Sequence, residues 1–453
     1  MSPALSPRGT TALFTLLALA CGDVSHTSDP DSGGALVITG VTIIDGSEAA
    51  PIGNASILIR GNRIVQMGPM DRVSVPESAR VYDGGGEYVI PGLWDMHTHV
   101  LWHPFVDDGF LRLHIVNGVT GIRDMGGTLD VLAEVRPGGR YYSPLNPRIV
   151  AAGPWLNEFV IDPRAGIAVE TPEAARQAVA SLADAGVDFI KAYTFLDRDI
   201  FLAILEEAEA HGLPVAGHVP QDLSSREASD LGMLSIEHLR TETGGFCEEV
   251  GDANCPALLD ALLRNGTWQT PILMVRRNAS LLDEPGVSQF PGVRYAPGYL
   301  RDEWAETRQG RLDAGSFDFD AVRSRRDAQR ALAAVVHRAG LPILAGSDAG
   351  ELYSVAGFSI HEELALLVEV GLTPLEALRA ATSEAAEFLS STDSLGTVAE
   401  GKVADLVLLG ANPLEDIHNT RDIRAVVRDG QLFDRGDLDR MLTEIAQRAD
   451  SSR

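Results

Sequence analysis

A chain of 453 residues, 45% of them hydrophobic, is long enough for one large α/β domain with a smaller companion and has the composition of a folded globular protein. Its 64 acidic and 37 basic residues leave a formal net charge of −27, which repels nucleic acid and anionic lipid surfaces and excludes them as partners.

At the N-terminus, Arg8 precedes the apolar run Thr11 to Ala20, which is too short to span a bilayer and fits the core of a signal peptide over residues 1–21. The run ends in Ala18-Leu19-Ala20-Cys21, which resembles the lipobox of bacterial lipoproteins, with Cys21 as the lipidated residue. Ala18 stands where a lipobox usually has Leu, Val or Ile, so an ordinary signal peptide with an incidental cysteine is the alternative. Residues 22–34 are rich in Gly, Ser and Asp and read as a flexible tether. The expectation is an exported protein of the periplasm or cell envelope that touches a membrane only through an N-terminal lipid anchor.

From residue 35 to 90, short β-branched runs alternate with Gly and Asn turns, and the same texture returns after residue 391. Residues 35–90 and 391–436 therefore form the expected composite β-sandwich domain, followed by a C-terminal helix over 437–453. Between residues 91 and 390, short apolar runs alternate with longer amphipathic stretches, the rhythm of a parallel α/β fold. Eight runs read as strands, from VIPGLWDMHTHV at Val89 to ILAGSD at Ile343, and eight is the number that closes a (β/α)8 TIM barrel. A helix is expected from Pro172 after the capping residue Thr171, and another from Asp199 to His211. The stretch 274–341 exceeds a simple connection and reads as a helical insertion. An open doubly wound sheet is disfavoured because no Gly-rich phosphate loop follows the first strand.

Ionisable residues collect at the C-terminal ends of these runs: His97, His99, Asp124, Lys191, His218, His238 and Asp348. In a barrel those ends surround the active-site mouth. His97 and His99, two apart on one strand, share a face and can grip one metal ion. A lysine inside FIKAYT and an aspartate inside LAGSDAG are costly to bury unless paired, modified or bound to metal. Cys247 and Cys255 can close a small disulfide loop in an oxidising compartment, with two free thiols as the alternative.

Together PGLWDMHTH, FIKAY, AGHV, IEHL, AGSD and EGKVADLVLL resemble the amidohydrolase superfamily, in its imidazolonepropionase-like and Xaa-Pro-dipeptidase-like branch. The resemblance covers most of residues 35–436. It implies that His97, His99 and Asp348 hold one divalent metal, that His218 and His238 hold a second, and that Lys191, carboxylated by CO2, bridges both. Zinc suits these donors, with manganese or iron as alternatives. The activity implied is cleavage of a C–N bond in an amide, dipeptide, N-acyl amino acid or cyclic amide by a metal-bridging hydroxide, with Asp348 moving the proton.

One motif departs from the pattern: related dipeptidases often carry a substrate-contacting histidine after the third strand, where this chain reads AAGPWLNEF from Ala151. Trp155 and Asn157 are candidates for the same wall. Tyr193, on the face of Lys191, is a candidate catalytic donor to a developing oxyanion, or a packing residue. Asp124 is a candidate to support a first-strand histidine or to cap a turn, and His103 and His114 are placed outside the ligand set. The arginines between Arg276 and Arg326 either meet a substrate carboxylate or pair with neighbouring acids on exposed helices. The rival functions are an esterase or lactonase on the same site, a Schiff-base lyase using Lys191, and a non-catalytic metal- or ligand-binding lipoprotein. The partner expected is a small molecule or short peptide, and self-association into an oligomer is left open.

Overall fold

The computed structural model describes residues 34–102, 109–162, 165–239 and 255–451. The expected signal peptide, Cys21, His103 and Cys247 lie outside the described residues, as does all but the last residue of the tether.

One eight-stranded sheet draws on both ends of the chain. From the N-terminal end come β1 (Leu36–Ile43), β2 (Ile52–Arg60), β3 (Arg63–Pro69), β4 (Arg80–Asp83) and β5 (Tyr88–Pro91). Gly40, at φ +72°, sits where the register of β1 against β2 shifts. On its other edge, β1 pairs with β4 before this point and with β5 after it. β5 then pairs antiparallel with the C-terminal segment Leu406–Leu409, Leu406 opposite Pro91, so the two chain ends are stitched strand to strand. Ile38, Val41, Ile57, Ile59, Leu406 and Leu408 pack in a single buried cluster, whose exclusion of water holds the ends together.

The middle of the chain is parallel. It runs through β6 (Leu93–Thr98), β7 (Val119–Asp124), β8 (Arg148–Ala151), β9 (Trp155–Asn157), β10 (Gly166–Ala168), β11 (Ile190–Ala192), β12 (Val215–Gly217), β13 (Ser235–Glu237) and β14 (Trp268–Thr270). After them come β15 (Leu406–Leu409), β16 (Ile423–Arg428) and β17 (Gln431–Asp434) of the first sheet. Among the described residues the parallel strands form two ladders, β6-β7-β8 and β10-β9-β11-β12-β13-β14, and the molecule is of mixed α/β class.

Of the eight expected strands, the last is not a strand. The run ILAGSD is reduced to one bridge, Ile343 opposite Gln269. Pro342 lacks an N–H, and Asp348 turns to φ +55°, out of the extended region, so only a few residues can pair. Two short strands, β9 and β10, occupy the stretch after β8 instead.

The helix Pro172–Asp184 starts where Thr171 Oγ1 accepts the Ala174 N–H, with proline in the first turn, where its missing N–H costs nothing. Helices Leu273–Ser280, Gly298–Asp313 and Phe319–Arg338 occupy the stretch before Ile343, and Arg435–Ser451 closes the chain. No helix among the described residues is long and apolar enough to cross a membrane.

Trp94 of β6 lies opposite Gly121 of β7, and a Cβ at 121 would fall within 2.5 Å of the indole ring. Gly121→Val should therefore overpack this seam and lower unfolding stability by roughly 1–3 kcal/mol in urea titrations; an unchanged midpoint would contradict the packing described.

Candidate metal centre

Because the strands are parallel, their C-terminal ends bring distant residues together. His97 belongs to β6 and His99 follows it, Lys191 lies in β11, and His218 and His238 each directly follow their strands, β12 and β13. Asp348 reaches the same place through its backbone N–H, which donates to the His97 carbonyl at 2.8 Å. His97, His99 and Asp348 are buried, with one candidate ligand atom from each all within 4.8 Å of one another. The His97 ring centroid lies 4.9 Å from that of His238, and His238 lies 5.0 Å from His218. Lys191 is completely buried in the same pocket, where its charge acts on His97, His99 and Asp348.

Hydrogen bonds decide which imidazole nitrogens face inward. His97 Nδ1 lies 2.8 Å from Glu237 Oε2, and His99 Nδ1 lies 3.3 Å from the Gly126 carbonyl. Both partners only accept when Glu237 is ionised, so each Nδ1 carries the proton and each Nε2 presents a lone pair. Those Nε2 atoms lie 3.4 and 3.3 Å from Asp348 Oδ1. His97 Nε2 and Asp348 Oδ1 are both buried with no hydrogen-bond partner. Three buried lone-pair atoms pointed at one another repel unless a cation, a proton or a water lies between them. This donor set, two imidazoles and a carboxylate, suits a divalent metal ion of the zinc type.

Burial dominates the electrostatics of these groups. Burial, then the Lys191 charge, pushes the His99 imidazole down to about 3 and His97 well below its ordinary range. Both are thus neutral, the form that binds metal. Burial, reinforced by Glu351, pushes the Asp348 carboxyl well above its ordinary range. His238 and Asp348 sit at φ +67° and +55°, a left-handed backbone uncommon outside glycine, though Asp and His adopt it more readily than most residues.

Beneath the cluster lies a support that the sequence reading did not single out. Glu237 binds His97 with one oxygen and with the other accepts from Arg123 Nη2 at 2.8 Å and from Ser235 Oγ at 2.6 Å. Arg123 is 1% exposed and also donates to the Met96 carbonyl and Ser235 Oγ. Asp95 accepts from the backbone N–H groups of His97 and Ser347, fastening β6 to the segment that carries Asp348. A carboxylate bound to the outer nitrogen of a metal-ligating histidine fixes its ring and raises its basicity. The signal was present in IEHL and GIRD, where each acidic or basic residue adjoins a singled-out neighbour.

Other candidates fall differently. Asp124 accepts from the backbone N–H groups of Val100, Leu101 and Gly126, so it shapes the turn after His99 and does not bond an imidazole. The Tyr193 ring packs 4.2 Å from His218 and stacks on Trp155 at 5.4 Å, and Trp155 meets His99 edge-on, so both aromatics wall the cluster. The Asn157 amide is spent on the backbone of Phe159 and Phe195. Thr194 Oγ1 lies 3.0 Å from His218 Nδ1. His114 bonds the Leu111 carbonyl of its own turn. Cys255 is disulfide-bonded, and the pairing expected with Cys247 involves a residue outside the described ones.

The amidohydrolase family profile matches residues 88–433, and the chain belongs to that family. It is a hydrolase acting on C–N bonds. The imidazolonepropionase of Deinococcus deserti is 25% identical over 423 residues, covering 82% of this chain and 90% of that protein. The solved structure of bottromycin amidohydrolase is 26% identical, with a TM-score of 0.71, covering 93% of this chain and 92% of that one. A Xaa-Pro dipeptidase with bound methionine in its active site, at 22% identity and a TM-score of 0.67, covers 88% of this chain and all of its own, and shares the fold.

Glu237→Gln should leave the Arg123 charge buried without its counter-ion and cost roughly 3–5 kcal/mol in chemical denaturation. Pairing it with Arg123→Met should recover a large part of that loss, and failure to recover any of it would show that the two charges do not compensate each other.

Proposed function

We propose that this chain is a binuclear metal-dependent amidohydrolase in which His97, His99 and Asp348 hold one divalent ion, His218 and His238 hold a second, and carboxylated Lys191 bridges them. The observation that carries the reading is the convergence of the two imidazole Nε2 atoms on the unpartnered Asp348 oxygen, with two further histidines and a buried lysine alongside. Bound there, two zinc ions supply an activated water and a Lewis acid for the scissile carbonyl.

The protein's own part begins with positioning. Arg123 and Glu237 hold the His97 ring so that its Nε2 faces the cluster. With metal bound, Asp348 would be the group that accepts a proton from the attacking water and passes it to the departing amine. Tyr193, whose ring packs against His218, is the proposed donor to the oxygen on which negative charge develops. Trp155 and Trp102 flank His99. The substrate is an amide, a dipeptide or N-acyl amino acid, or a cyclic amide.

We propose further that the two parallel ladders belong to one (β/α)8 barrel. In support, Leu344 N donates to the Gln269 carbonyl, Met96 N to the Ala345 carbonyl, and Asp188 N to the Ala151 carbonyl, joining the ladders at both seams. Folding of the eight-stranded sheet over itself as the composite β-sandwich is supported by the bonds between Ile64 and residues 401 and 402 and by the bridge of Arg63 with Val403. Export by residues 1–21, lipidation at Cys21 and placement in the cell envelope rest on the N-terminal sequence pattern.

Asp348→Asn should lower kcat on any cleaved C–N substrate by about 10²–10⁴-fold, measured across dipeptides, N-acyl amino acids and cyclic amides. A variant with full kcat on the substrate that the wild type cleaves would remove Asp348 from the proton path.

A further inference from the structure

The helix Phe319–Arg338 buries Gln329, Leu332, Ala333 and Val336 against the rest of the molecule. The last three are apolar. Gln329, 2% exposed, carries an amide that is costly to bury unless its groups are bonded. Its Nε2 donates to two main-chain carbonyls, that of His238 at 2.7 Å and that of Pro271 at 2.9 Å. Carbonyls only accept, so the amide can stand only this way round.

Those carbonyls sit at the exits of neighbouring strands. β13 and β14 pair in parallel from Ser235 opposite Trp268 to Glu237 opposite Thr270, and the His238 N–H then donates to the Thr270 carbonyl at 2.8 Å. Beyond that bond both chains turn left-handed, at His238 (φ +67°) and Leu239 (φ +45°) on one and at Ile272 (φ +51°) on the other. Each carbonyl that Gln329 holds belongs to the peptide entering a left-handed apolar residue, Leu239 or Ile272. For a branched side chain such as that of Ile272 this backbone is an outlier and persists only where its surroundings fix it.

On its far side the Ile272 turn is held by Glu363, which accepts the Leu273 and Met274 N–H groups at 2.9 and 2.8 Å. The His238 turn faces the cluster instead. Its ring centroid lies 4.9 Å from that of His97 and 5.0 Å from that of His218, with Nε2 4.0 Å from Asp348 Oδ2. Rotation of the backbone at residue 238 would carry Cβ and the ring with it, so the peptide plane that Gln329 fixes bears on where the imidazole points. Gln329 Oε1 finds no donor among the described residues, a cost that an apolar side chain would avoid only by leaving two carbonyls unbonded.

We propose that Gln329 is a positioning residue for His238: by holding the His238 and Pro271 carbonyls it sets the left-handed exit of β13, aims the imidazole at the cluster, and ties the helix Phe319–Arg338 to the second metal position. This assignment rests on the amidohydrolase reading for the ion that His238 would hold, but the clamp itself is testable without metal.

The test uses the chelator-stripped full chain, isotope-labelled in its histidine rings, with the magnetic resonance signal of His238 assigned by its loss in His238→Gln. Gln329→Met, close in volume but without donors, should shift or broaden that signal and leave those of His114 and His361 in place. Val336→Ala disturbs the same buried helix face without touching either carbonyl, so it should lower stability and leave the His238 signal unmoved. In a cobalt(II) titration with bicarbonate present, Gln329→Met should weaken the second ion by roughly 10–100-fold, alter its visible spectrum and spare the first. Gln329→Glu, similar in shape but only an acceptor when ionised, serves if Gln329→Met does not fold, and the same displacement is expected of it. An unmoved His238 signal in the Gln329 variant, a second ion held as tightly as in the wild type, or an equal change in Val336→Ala would overturn the assignment. Failure of the metal-hydrolase reading looks different: the wild type takes up no cobalt, while the His238 signal still responds to Gln329.

Discussion

Everything in this molecule that bears on chemistry turns on one unfavourable contact, the approach of Asp348 Oδ1 to two imidazole nitrogens among buried residues. Three electron-rich atoms at such separations have no reason to stay together unless something positive is shared among them. The surrounding structure is arranged to keep them there. Asp348 is held at an unusual backbone angle by its N–H bond to the His97 carbonyl, and Gly346 leaves no side chain where His97 Cβ packs. The Arg123–Glu237 pair stops the His97 ring from turning its other nitrogen inward. Pre-organisation of this kind puts the cost of assembling like-charged or lone-pair groups into folding, so that a metal ion finds its ligands already placed.

The fold supplies the leverage for that arrangement. Residues 97, 191, 218 and 238 lie at or just past the C-terminal ends of parallel strands, and the backbone bond of Asp348 to the His97 carbonyl brings it beside them. The sheet built from both chain ends does different work: its antiparallel pairing of β5 with β15 fixes the strand that leads directly into β6 and His97. Arg148 of β8 bonds Asp405, which ties the parallel region to that sheet with a largely buried ion pair.

Much of this was legible in the residues, and the legible part has a common physical basis. Histidines, lysine and aspartate at the ends of apolar runs are expensive in a core, so their positions announce a shared purpose, and the motifs around them belong to the amidohydrolase family that the chain proves to be in. Helix starts such as Thr171-Pro172 were readable because capping is local chemistry. The run ILAGSD was harder: it has the composition of a strand, yet Pro342 and the turn at Asp348 leave it a single bridge. Arg123 and Glu237 went unnoticed because a buried ion pair between separate strands has no sequence period; each looks like an ordinary charged residue until the strands are side by side. For Asp124 the residues left two readings, support of a histidine or capping of a turn, because a carboxylate next to a metal-binding motif can serve backbone N–H groups as readily as an imidazole; it caps the turn. Within the insertion, only the three-dimensional arrangement shows that Arg277 and Arg323 pair with Glu362 and Asp283.

The central claim, that the buried histidines, Lys191 and Asp348 exist to hold metal, is most directly tested by elemental mass spectrometry on the purified protein beside its Lys191→Met variant. The account predicts about two divalent ions per wild-type chain and a clear fall in the variant. No bound metal in the wild type after reconstitution with zinc and bicarbonate, or a content that Lys191→Met leaves unchanged, would contradict it.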